Sequence, residues 1–152
     1  MKLAEALLIR NELMKDVGSL KVRIAENATV QEGDAPSEDP DVLIQKALSA
    51  LAELETLICK INRTNIQATL PDGTTMMATL AQRDCLIKQH AVLNKALENT
   101  HVKTHRHTRE EIKWVKILDV QAIQKRADVL AAQIRKLNTA IQEANWQVEL
   151  TE

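Results

Sequence analysis

Two arginines, an aspartate and two asparagines are the residues best placed to do chemistry: Asn62, Arg63, Asn65, Arg83 and Asp84. Pro71-Asp72-Gly73 separates the first three from the last two and has the residue types of a tight turn. If two helices fold back about Asp72-Gly73, Asn62 and Arg63 stand level with Gln82, Arg83 and Asp84, and Asn65 with Leu80. A polar group at that height of an aliphatic seam needs a partner, because an orphaned one costs about 1–3 kcal/mol. The expected network has Asp84 accepting from Arg63 or Arg83. Paired Arg forks can hold a small anion. The preferred reading is plainer: a polar pin that fixes helix register or oligomer state, as polar seam residues do in coiled coils.

The second constellation is His101, His105 and His107, with Glu110 and Glu111. Imidazoles four apart share a helix face and can ligate zinc or another transition metal. No HExxH or CxxC accompanies them, and the charges of Lys103, Arg106 and Arg109 oppose a cation. A solvated connector without cofactor is preferred, with zinc as the alternative. The same stretch offers Arg109, Lys113 and Trp114 as contacts for a phosphate or a partner, Trp114 being its one stacking ring. Lys plus Arg number 20 against 21 Asp plus Glu, a balance that argues against nucleic acid as the partner. Cys59 and Cys85 also stand level across the turn and read as reduced core thiols. No GxSxG, phosphate-cradling Gly-rich loop or oriented Cys–His pair is present, so no residue is assigned to catalysis.

The elements that must position these groups are helices. The chain has no Phe, no Tyr and only two Trp, and its apolar content is Ala, Leu, Ile and Val among Glu, Lys, Gln and Arg. That mixture suits long helices packed along aliphatic seams. Helices are expected at about 2–26, 40–68, 76–98 and 119–146 of a single helical domain, with an acidic loop at 30–39 and an irregular basic segment at 99–118. The first carries Leu3, Ala6, Leu13, Val17, Leu20 and Ile24 on one stripe broken only by Arg10. The second starts where Asp39 can cap and Pro40 suits the first turn, and its seam is read as Ile44, Ala47, Leu51, Leu54, Ile58 and Ile61, with Leu43, Leu48 and Leu57 widening the stripe. The third carries Leu80, Leu86, Ile87, Leu93 and Leu97, a less regular stripe that contains Arg83 and Asp84. The fourth, capped by Asp119, alternates steps of three and four from Val120 through Ile123, Ala127, Leu130, Ile134 and Leu137 to Ile141 and Ala144. Trp146 is expected to cover its end. The fold class is therefore mainly α, long antiparallel helices in a four-helix or coiled-coil-like bundle. A short β-hairpin near 69–75 and a strand near 112–117 are the two places for extended structure.

The motifs Ile61-Asn62-Arg63-Thr64-Asn65, Asp72-Gly73-Thr74-Thr75, Arg83-Asp84, Glu111-Ile112-Lys113-Trp114, Asp119-Val120 and Ala144-Asn145-Trp146 resemble those of the septicolysin-like family of small bacterial proteins. The opening Met1-Lys2-Leu3-Ala4-Glu5-Ala6-Leu7 and Val30-Gln31-Glu32-Gly33 resemble it too, so the likeness covers nearly the whole chain. It implies a mostly helical protein of undetermined function. The family name suggests a haemolysin, an activity for which this sequence has neither an export signal nor a lytic apolar segment.

Wide apolar stripes on both members of a helical hairpin cannot all be covered within it, so the expected partner is a second copy of the chain. No apolar run reaches the roughly 20 residues of a membrane span. The expected location is the cytoplasm. The expected role is structural or interactive; the alternative is a ligand- or metal-binding protein, with or without enzymatic activity, that uses the Arg63–Arg83–Asp84 cluster or the histidine segment.

Overall fold

The computed structural model describes residues 1–98, 100 and 115–151. Its regular structure is four helices packed as antiparallel pairs: α1 (Leu3–Asn27), α2 (Pro40–Gln67), α3 (Met76–Glu98) and α4 (Val120–Gln147). Each boundary lies within a residue of its expected place. The caps account for this: Asp39 Oδ1 accepts from Asp41 N at 2.9 Å, Asp119 Oδ1 from Ala122 N at 3.0 Å, and Glu5 Oε2 from Lys2 N at 2.7 Å. Two compact units divide the chain, one of Met1–Met77 with Gln142–Glu152 and one of Ala78–Ile141.

The first unit is built on the α1–α2 seam. Leu3, Ala6, Val17 and Leu20 are buried on α1 and Leu13 and Ile24 half-buried, so the stripe read from the sequence is the one used. On α2 only one side of the expected stripe is used: Ala47, Leu54 and Ile61 of the seam turn inward with Leu43 and Leu57 from its widened edge. Leu43, Ala47, Leu57 and Ile61 are buried, with Ala50 and Leu54 half-buried between them, whereas Ile44, Leu51 and Ile58 stay exposed. The apolar arc of α2 is wider than α1 covers. The half that turns inward also carries Thr64, whose hydroxyl satisfies itself by donating to Lys60 O at 2.8 Å. Leu20 and Ile24 pack against Leu43 and Ala47 where the pair is joined.

That joint is held by polar groups. Buried Asn27, the last residue of α1, donates to Arg23 O at 2.9 Å and accepts from Ser37 Oγ and Glu38 N at 2.9 and 3.0 Å. Arg23 grips Glu38 with both arms of its fork, its Nε at 2.7 Å and its Nη2 on the other oxygen. The acidic connector is thus anchored at its C-terminal end. At the opposite pole the chain end pairs with the start of α1: Leu3 N donates to Val148 O at 2.9 Å, Leu150 N to Met1 O at 2.8 Å, and Lys2 Nζ meets Glu149 Oε1 at 2.6 Å. Thr151 N then donates to Thr64 Oγ1 at 2.9 Å, tying the same strap to α2.

Among the described residues, extended structure shrinks to isolated bridges. Thr69 and Thr75 form one antiparallel bridge about the Leu70–Gly73 turn, in place of a hairpin of strands. Gly73 takes φ 83°, the left-handed value for which glycine is suited, and Asp72 Oδ1 accepts from Thr74 N at 3.0 Å. The expected strand at 112–117 falls partly outside the described residues, and the rest, Val115–Ile117, is exposed and without regular structure. With Met76 N already donating to Ala68 O, α2 passes into α3 too directly for a sheet to form.

In the second unit α4 uses its seam as read. Ala127 and Ile141 are buried, and Ile123, Leu130, Ile134 and Leu137 are half-buried at steps of three and four. The inward stripe of α3 is Thr79, Arg83, Leu86, His90, Leu93 and Leu97, of which three are polar.

Leu43→Ala, at the fully buried centre of the α1–α2 joint, should lower stability by about 2–5 kcal/mol in denaturant titration. Gly73→Ala should cost about 1–2 kcal/mol through its backbone alone, since nothing lies within 4 Å of the added methyl. The Arg23 fork holds the Glu38 carboxyl below its usual range, and hydrogen bonding to Lys2 does the same for Glu149. A lowered folded-state value means stability present above the unfolded carboxyl pKa, about 4.3, and lost as pH falls through the folded one. Unfolding midpoints should therefore drop below about pH 4.3, and Glu38→Gln should flatten that drop.

Candidate functional site

The polar cluster expected about the turn divides between the two units. Asn62, Arg63 and Asn65 lie on the last turns of α2 in the first unit, the first two exposed and Asn65 half-buried. Arg83 and Asp84 lie two turns into α3, in the second unit. There the structure does bring one expected pair together: Arg83 donates to Asp84 Oδ1 through Nε at 3.0 Å and Nη2 at 2.7 Å. The guanidinium is spent along its own helix, on a carboxylate that is more than half exposed. Such a pair contributes little to stability, as exposed ion pairs generally do.

His101, His105 and His107 lie outside the described residues, as do Arg109, Lys113 and Trp114. Among the described residues no group of three or more His, Cys, Asp or Glu side chains could hold a metal ion. His90 is half-buried on α3, with Asn94 Nδ2 at 3.2 Å from its Nδ1. Cys59 and Cys85 are free and exposed, not core thiols: each lies on the outward side of its helix, beside the seam and not in it. Trp146 is likewise exposed and does not cover the end of α4; the residues that follow it pair with the start of α1 instead.

What the surface does present is apolar. On α2, Ile44, Leu48, Leu51 and Ile58 form a second stripe outside the seam, with Leu48 55% exposed. Leu8, Met14 and Val22 stand out on α1. Between α3 and α4 in the second unit runs a groove of about 720 Å3, lined by half-buried Leu93 and Leu130 with the more exposed Val92 and Val129 at its rims, and with Lys125 and Arg126 at its side. No described helix is long and apolar enough to cross a membrane, so these stripes are not spans.

A family model described as a family of unknown function (DUF6847) matches residues 10–150. The chain belongs to the DUF6847 family. Among solved structures, the DUF6847 chain is similar to a functionally unknown conserved protein from Corynebacterium diphtheriae, at 34% identity and a TM-score of 0.92, covering 99% of each chain. No curated protein matches. The matched range takes in both units, and with them the Thr64 hydroxyl, the Asn27 joint and the groove.

The Asn27 joint and the Thr64–Thr151 contact are not foreseen from the sequence. Asn27 carries a faint signal, as an asparagine closing a long helix before a Pro-rich connector. The strap carries none: nothing in Lys2 or Glu149 joins them across the chain.

Exchanging Asp84→Ala should shift stability by no more than about 0.5 kcal/mol, whereas Asn27→Ala should cost about 1–3 kcal/mol. Thermal unfolding of the two variants side by side checks the contrast.

Proposed function

We propose that this DUF6847 protein is a structural or interaction protein of the cytoplasm that works as a homo-oligomer, by contact and not by catalysis. The observation that carries the reading is the outer stripe of α2. Four large aliphatic side chains, Ile44, Leu48, Leu51 and Ile58, follow helical spacing on a face that α1 leaves open. Single exposed apolar residues are ordinary, but a contiguous stripe of them is the usual mark of an interface. Each square ångström of it removed from water contributes about 25 cal/mol. Two free, exposed cysteines fit a reducing compartment. The likeness to septicolysin-like proteins is read as a likeness of sequence and fold, and no lytic activity is carried over from it.

Light scattering on the purified protein should give a mass that is a multiple of 17.0 kDa. Leu48→Gln combined with Leu51→Gln should reduce that mass while the helical circular dichroism is retained. A wild-type protein that stays at 17.0 kDa at every accessible concentration overturns the reading.

A further inference from the structure

Two exposed apolar surfaces of this chain differ in charge. On α2, Asp41, Ile44, Leu48, Leu51, Glu55 and Ile58 succeed one another at steps of three and four, which places them on one face. The only charges on that line are acidic. Lys46 belongs to another side of the helix, within electrostatic reach of Glu38. The α3–α4 groove shows the opposite balance: its floor is aliphatic, its amides are Gln89 and Gln133, and among the described residues that line it the charges are Lys125 and Arg126.

We propose that the outer face of α2 in one copy docks into the α3–α4 groove of a second copy, with Glu55 set against Arg126 and Lys125. This rests on the self-association reading and names its two surfaces. An amphipathic helix laid in an apolar groove is anchored by residues at i, i+4 and i+7, the spacing of Ile44, Leu48 and Leu51. The groove suits a helix better than a small molecule. Val92 and Val129 at its rims are 68% and 51% exposed. A ligand pocket ordinarily buries about 70–90% of its occupant, which an open trough does not do. A helix covers both rims at once. Glu55 alone would spoil a symmetric pairing of two α2 faces, since each carboxylate would face the apolar stripe of its mate without a cation on that line. Against the groove it meets an arginine suited to planar, two-armed pairing. Because face and groove are different surfaces, the contact is heterologous: every copy offers one of each.

The test uses the full chain and sedimentation equilibrium at low salt, with three preparations: Glu55→Arg, Arg126→Glu, and an equimolar mixture of the two. Each variant alone should weaken association about tenfold or more, and the mixture should regain it, because reversed charges meet their complements between chains. Weakening by Glu55→Arg with no effect of Arg126→Glu would mean that α2 pairs with α2, and would overturn the inference. An oligomer indifferent to both variants would also overturn it, while leaving self-association intact. A wild type that is monomeric throughout removes the reading beneath it. If a charge-reversed chain loses its helical circular dichroism, Leu51→Gln and Val129→Gln probe the same two surfaces without charge, and each must weaken association for the docking to stand.

Discussion

Aliphatic side chains stabilise a fold only through the water-accessible area they lose, and this chain has almost nothing else to bury. The chain lacks Phe and Tyr, and Trp146 stands exposed, so among the described residues no aromatic ring supplies buried area. Area must therefore accumulate along length, and the helices are long for that reason, 25 and 28 residues in the first pair. Long helices in turn constrain everything around them. A helix sees one neighbour along one stripe, so each must be anchored at its ends to keep two stripes in register.

The first unit meets that demand at both poles. At one, Asn27 and the Arg23–Glu38 fork hold the connector against the end of α1. At the other, the strap at 148–151 closes over the start of α1 and reaches Thr64 on α2. Thr64 is 1% exposed, yet its oxygen both donates within α2 and accepts from Thr151. A valine there would fill the same volume and leave the Thr151 amide with no acceptor. The polar groups of this unit thus serve placement, while the aliphatic seam supplies the energy. Glu38 and Glu149 are held charged by their partners, which couples both anchors to the same acid limit.

How much of this was legible depended on whether a pattern was local. The seam of α4 could be read residue by residue, because eight apolar positions at steps of three and four leave one choice of face. The caps at Asp39 and Asp119 were equally plain. On α2 the apolar arc was broad enough to offer two seams, and side-chain size favours the one with Ile44, Leu51 and Ile58. The fold instead turns in the other side of that arc, which spends two positions on small Ala47 and Ala50 and ends in a hydroxyl at Thr64. That ending looks like an interruption until Thr64 is seen to accept from the strap. The same rotation carries Cys59 outward, away from the core position its spacing suggests. On α3, Leu86, Leu93 and Leu97 were legible, whereas the inward positions of Arg83 and His90 were concealed by their polarity. The Arg83–Asp84 contact joins two members of the polar cluster, and it is local in sequence.

The side of α2 that turns inward also bears on why a face was left open. Had α2 turned Ile44, Leu51 and Ile58 to the middle of its seam, Leu57 and Thr64 would have rotated outward, and the strap would have lost its acceptor on α2. Closing the pole therefore requires the stripe that ends in Thr64 to face inward. The bulkier one, with Ile44, Leu48, Leu51 and Ile58, must then face outward, exposed and interrupted by a single carboxylate, Glu55. One rotation of one helix settles both matters. The register that lets residues 148–151 bind is the register that leaves α2 with a surface in want of a partner, so internal closure and the open face are two results of the same packing choice.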